Sequence, residues 1–278
     1  MASGSPLILC ARQELCLAAR SRWAQIFAGV FALLAADVAG SGYILSGGAG
    51  VQDFSRTASS LVQLVVLLAP LTSLVIGVLT LTPERGAAEL LYAQPVPRGT
   101  ILLGRLGGLF LALAAAQTLG LGVAGVIVFG HSGATGASGY LLLLLGTLLL
   151  TAVFLGIAAA LAAASPGRRA RSLALALIVW FAAVALIDLA ALGVASVLPS
   201  AAASRLLILT SLVNPVDAVR TGVLMGLDGT TAFGPASLAL LRFTKGPAGA
   251  AALLIASCLL WIALPTALAA RRLARADL

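Results

Sequence analysis

The chain has little charge, few aromatic residues and little cysteine. Of its 278 residues, 9% are Asp, Glu, Lys or Arg and 5% are Phe, Trp or Tyr. A soluble domain carries about 25% charged residues, so a soluble globular enzyme is excluded. So is a disordered chain, which needs high charge and little apolar surface. Cys10, Cys16 and Cys258 make no CxxC pair and no disulfide framework. With one histidine and two methionines they are a thin stock of soft metal ligands, and no metal site is expected. His131 stands alone in a Gly-rich segment and reads as a loop histidine. Cys10 and Cys16 lie six residues apart, about 120° around a helix, and read as inert small residues. GxxxxGK[ST], HExxH and GxSxG are all missing, so the chain is not a P-loop ATPase by itself and no catalytic residue is expected.

Apolar residues, by contrast, make up 61% of the chain, and the mean hydropathy is +1.11. At about 20 apolar residues per membrane crossing, the length suits six crossings in a single polytopic domain over 1–278. The stretches fall at 24–45, 59–81, 101–129, 139–164, 173–198 and 248–270. The third is longer than a crossing needs, which predicts tilt or a break near its glycines. The predicted class is an all-α membrane protein. Before the first stretch, 7–22 is weakly amphipathic: Leu7, Ile8, Ala11, Leu15, Ala18 and Ala19 fall on one side, and Arg12, Gln13 and Arg20 on another. This predicts a helix in the membrane interface, with Trp23 at headgroup level, rather than a cleavable signal peptide.

The net charge is +8, from 16 Arg and Lys245 against nine acids. These basic residues stand singly or in short clusters between apolar runs, which favours a membrane over nucleic acid. Twelve of the 17 fall on the side of the N-terminus, the second and fourth loops and the C-terminus: Arg12, Arg20, Arg22, Arg85, Arg98, Arg105, Arg168, Arg169, Arg171, Arg271, Arg272 and Arg275. Arg56, Arg205, Arg220, Arg242 and Lys245 take the other. The positive-inside rule then predicts both termini in the cytoplasm. Segment 82–100 becomes a cytoplasmic loop and 199–247 a long external one, with short helices packed at the outer surface or dipping into it.

Few residues could carry chemistry. Asp37 and Asp188 lie within apolar stretches, where a charge costs about 2.5–3.5 kcal/mol. Each is expected to face protein or water. Asp188 reads either as a proton or substrate site or as a group hydrogen-bonded to a Ser, Thr or Gln; Gln63 and Gln117 match in depth. Gly104 and Gly108 form a GxxxG, either a close helix contact or a coincidence of composition. Thr82-Pro83-Glu84 reads as the start of a short capped helix exposing Glu84, Arg85 and Glu89, ending before Pro95. In the external segment, Asn214 before Pro215 favours an extended or capping residue. Asp217 then falls at a helix start, three residues before Arg220. These four are expected to build an outer docking surface, with stabilisation of the loop's own fold as the alternative.

The second loop resembles a known family. Glu84, Gly86, Leu90-Leu91, Pro95 and Arg98, followed by Ile101-Leu102-Leu103-Gly104-Arg105, are similar to the loop signature of ABC-2 type permeases. Ala11-Arg12-Gln13-Glu14-Leu15, with Arg20, Arg22 and Trp23, resembles that family's N-terminal elbow helix. Trp180-Phe181 with Asp188-Leu189, and Asn214-Pro215-Val216-Asp217 with Arg220, resemble the branch that serves maturation of the copper sites of nitrous oxide reductase. Arg105 stands where the family often has Lys, Thr82 where it often has an acid, and Ala87 where it often has Thr. The resemblance implies a six-span, type V exporter-like permease in the bacterial inner membrane, paired with a second permease copy and surrounded by membrane lipid. It implies a cytoplasmic ABC ATPase dimer that holds the ATP and Mg, docked on Arg12, Glu14, Glu84, Arg85, Glu89 and Arg98, with no cofactor on this chain. It also implies a periplasmic β-helical copper-delivery protein and a copper-chaperone lipoprotein. Two other readings compete: an ABC-2 exporter of a lipid, drug or polysaccharide, and a secondary transporter using Asp37 or Asp188.

Overall fold

The computed structural model describes residues 5–44, 51–82, 96–132, 136–227, 240–241, 243–244 and 246–275, and the regular elements among them are helices. Helix α1 (Pro6–Arg20) starts with proline at its first position, where no backbone N–H is needed. Ser21 is extended (φ −69°, ψ 123°) and breaks the helix. The Gln25 amide donates to Ala19 O at 3.0 Å, so the break into α2 (Arg22–Ile44) is side-chain capped. Then come α3 (Val51–Leu81), α4 (Arg98–Ser132) and α5 (Ala137–Ala164), the last entered through Gly136 at φ 89°. Next, α6 (Arg169–Phe181) runs through one π turn (Ala182–Leu186) into α7 (Ile187–Val197). Helices α8 (Ser200–Val213) and α9 (Pro215–Leu227) meet at 102°, and α10 (Pro247–Arg275) follows.

Among the described residues, six helices are long and apolar enough to cross a membrane: Arg22–Gly42, Arg56–Leu81, Arg98–Gly130, Ala137–Ala164, Arg169–Val197 and Pro247–Arg275. The bent pair α8–α9 adds a broken span or a re-entrant element. In the most apolar windows of α3 and α5, 61% of residues are buried, against 11% in α6–α7 and in α10. Helices α3 and α5 are therefore the centre of the bundle. Leu61, Val65, Ala69, Leu74, Leu150 and Phe154 form the inner core between them. Helix α9 packs on α5, α3 and α10, so the bent pair enters the bundle. At Gly146, an added Cβ would lie 2.6 Å from Val223 and 2.9 Å from Val219. Helix pairs in lipid gain from such close approach because burial from water is not available to drive them together.

Several polar side chains inside this bundle find partners within it. Thr147 Oγ1 donates to Leu143 O at 2.7 Å, one turn back. Thr151 Oγ1 donates to Gln117 Oε1 at 2.7 Å and ties α5 to α4. Gln117 is thus committed to Thr151 and Gln63 is exposed, so neither amide is the partner expected for Asp188.

Candidate functional site

A network of polar side chains within the apolar bundle sits where α8 meets α9. Asn214 is extended (φ −87°, ψ 114°), as a residue before proline must be. Its Oδ1 accepts the Val216 N–H at 3.1 Å and caps α9. Its Nδ2 donates to Ala183 O in the π turn at 2.7 Å and to Asp217 Oδ2 at 3.2 Å. A π turn widens the helical ladder locally, and one side chain here joins it to the start of α9. Arg220, one turn further, donates to Asp188 Oδ2 at 2.5 Å and also to Asp217 Oδ1. A single guanidinium therefore holds two carboxylates from different elements, one of them at the positive end of α9. Only such pairing makes these charges tolerable in apolar surroundings.

The other half of the bend is held by α10. A helix end leaves its last carbonyls without partners. Ser257 Oγ donates to Leu212 O, and Trp261 Nε1 donates to Val213 O at 2.8 Å. On the opposite flank, Trp180 Nε1 donates to Leu67 O at 3.0 Å and fastens α6 to α3.

At the arginine-rich end, α1 lies against α4. Cβ atoms added at Gly104 and Gly108 would stand 2.6 Å from Cys10 Cβ and 2.3 Å from Ala11 O. The GxxxG is thus a contact surface, and its partner is the elbow helix of the same chain. Glu14, 5% exposed, accepts from Arg105 Nε at 2.8 Å, and Arg105 Nη2 donates to Thr80 O at 2.6 Å. Arg98 Nη1 donates to Leu273 O at 2.8 Å in the last turn of α10, and Arg169 Nη2 to Leu79 O at 2.8 Å at the end of α3. The apolar stripe expected for α1 is displaced. Its inward face is Cys10, Ala11, Glu14 and Ala18, while Leu7, Ile8, Leu9 and Leu17 are exposed. A helix bordered by lipid turns large apolar residues outward and small ones towards protein.

The structure corrects several expected roles. Asn214 and Asp217 are 1% and 5% exposed and Pro215 is buried, and with Arg220 they form a network inside the bundle. Asp188 is paired with Arg220, not with a Ser, Thr or Gln. Glu14 is buried against Arg105, and Arg98 is engaged with α10, so of the expected ATPase contacts among the described residues only Arg12 is exposed. Glu84, Arg85 and Glu89 lie outside the described residues. Asp37 points away from its own bundle on the exposed side of α2. Sequence reasoning missed Ser257 and Trp261. Their spacing of four places both on one side of α10, which was the available signal.

The chain matches the family described as ABC-2 family transporter protein over residues 9–278. It is 34% identical over 270 residues to the probable ABC transporter permease protein NosY of Pseudomonas aeruginosa, covering 93% of this chain and 94% of that protein. It is 33% identical over 235 residues to the probable ABC transporter permease protein NosY of Stutzerimonas stutzeri, covering 82% and 85%. Elbow helix, six-helix bundle and sequence agree over nearly the full length: the chain belongs to the ABC-2 transporter family, as a multi-pass permease subunit of the NosY type.

Proposed function

We propose that this permease couples ATP hydrolysis in a separate cytoplasmic ATPase dimer to a periplasmic β-helical partner, in maturation of the copper sites of nitrous oxide reductase. A copper-chaperone lipoprotein completes the assembly. The reading rests on the NosY-type relatives, with both termini cytoplasmic as the arginine distribution requires. Loop 82–100, with Glu84, Arg85 and Glu89, and the exposed Arg12 seat in the ATPase. Glu14 and Arg98 serve that contact indirectly, by holding α1 and α10 to the base of α4. Two permease copies form the membrane unit. Copper ions themselves do not cross through this chain, because its soft ligands are too few to line a path.

The observation that carries the mechanism is the Asp188–Arg220–Asp217 network. Movement at the arginine-rich end reaches α3, passes to α6 through Trp180, and reaches the bent pair through the ion network, so the outer end of the bundle turns with the inner one. Two measurements on the purified complex and on the co-expressed reductase test this. Glu84→Ala with Arg85→Ala is expected to lower permease-dependent ATP turnover severalfold. Arg220→Gln is expected to leave turnover near normal while copper per reductase falls. Normal copper loading with correctly inserted Arg220→Gln removes the network from the coupling path. Full copper loading in cells lacking the permease shifts the assignment to an ABC-2 exporter of a lipid, drug or polysaccharide.

A further inference from the structure

A cleft of about 380 Å³ opens at the arginine-rich end, between α1, the first turn of α2, the C-terminal end of α3, Arg105 of α4 and the first residue of α6. Its charged lining is Arg105, Arg169 and Glu14, and Ser21, Leu17 and Trp23 complete its rim. Glu14 is already paired with Arg105 at 2.8 Å, and Arg105 also serves Thr80 O. Arg169, among the described residues, has no carboxylate partner. It gives one N–H to Leu79 O at 2.8 Å, is exposed, and lines the cleft with guanidinium donors to spare. The rim is apolar and unburied: Trp23 is 64% exposed and Leu17 57%. Because the walls are helix ends, the cleft lies at headgroup level, where tryptophan collects.

We propose that this cleft binds the phosphodiester of an anionic phospholipid, with the phosphate on Arg169 and the acyl chains leaving along Leu17 and Trp23. A soluble anion would use the cation but gain nothing from the exposed apolar rim. A zwitterionic headgroup would bring its own cation beside two arginines balanced by only one acid. Basic pockets between membrane helices recognise anionic headgroups in this way. The lipid would bridge the elbow helix to the start of α6.

The full chain, purified in detergent, is titrated with phosphatidylglycerol, phosphatidylcholine and inorganic phosphate and observed by native mass spectrometry. Phosphatidylglycerol is expected to bind preferentially. Arg169→Gln is expected to weaken it about tenfold, the effect of one charge-assisted contact, and to bring it to the phosphatidylcholine level. Arg169→Lys should recover part of the loss. Arg171→Gln, an exposed neutralisation two residues away, should leave binding unchanged. An equal loss in Arg171→Gln would mean a diffuse basic surface and overturn the site. Displacement of the lipid by millimolar inorganic phosphate would make it a simple anion site. No preference for phosphatidylglycerol in the unmodified chain would overturn the proposal outright.

Discussion

At the scale of single residues, Asn214 does more than its size suggests. It caps α9, bonds the π turn and donates to Asp217 with one amide. Asn214→Ala removes all three contacts and leaves buried groups unpaired, at a cost of about 1–3 kcal/mol. Asn214→Asp keeps the capping oxygen but loses the donors and sets a second carboxylate beside Asp217. The aspartate variant is therefore expected to lower the thermal unfolding midpoint in detergent more than the alanine variant, against the usual preference of helix starts for acids. The reverse order would show that capping alone matters. That Asn214-Pro215 opens a helix was legible, because proline restricts its neighbour wherever it occurs. The partner of Asp188 was not, because it lies 32 residues away. Its distance is set by the angle between α8 and α9, which no local pattern encodes.

At the scale of elements, the elbow helix and α4 show how glycines with the same sequence signature differ in role. Gly108 lies against the α1 backbone, whereas a Cβ at Gly107 meets nothing within 4 Å. Gly108→Ala is expected to loosen α1, costing about 1–3 kcal/mol of overpacking, and to speed tryptic cleavage at Arg12 and Arg20. Gly107→Ala is expected to leave cleavage unchanged or slower, since alanine stabilises an open helix position by about 0.5–1 kcal/mol. Equal cleavage in the two variants would mean that α1 is not seated in the glycine groove. The sequence carried the position of α1 and the GxxxG, but not that each is the other's partner. Hydrophobic periodicity misdirects here, because lipid and protein are both apolar surroundings and the packed face is chosen by small size.

At the scale of the whole molecule, the number of long apolar helices was legible because each crossing needs an apolar run of fixed length. Their arrangement, with α3 and α5 central, was not, since nearly every helix is apolar on all sides. The same burial pattern leaves α2, α6–α7 and α10 largely uncovered, with Asp37 on the uncovered side of α2. A carboxylate facing lipid costs about 2.5–3.5 kcal/mol near the membrane centre, and a second copy of the chain covering α2 would relieve it. In a background with Cys10, Cys16 and Cys258 replaced, Asp37→Cys is expected to give a cross-linked dimer with a short bismaleimide in membranes. Efficient cross-linking at exposed Leu119 of α4 instead would place the second copy elsewhere.

The bend between α8 and α9 also bears on how the chain is made. The carbonyls of Leu212 and Val213 are satisfied by Ser257 and Trp261, and α10 leaves the ribosome after the bent pair that it completes. Until it arrives, the bent pair carries unpaired backbone groups that hydrocarbon does not tolerate. The earlier spans can enter the bilayer in order, but the bent pair must wait at the interface for α10. Assembly of the bend is thereby tied to synthesis of α10, and a chain cut short before that helix presents unpaired carbonyls to quality-control proteases.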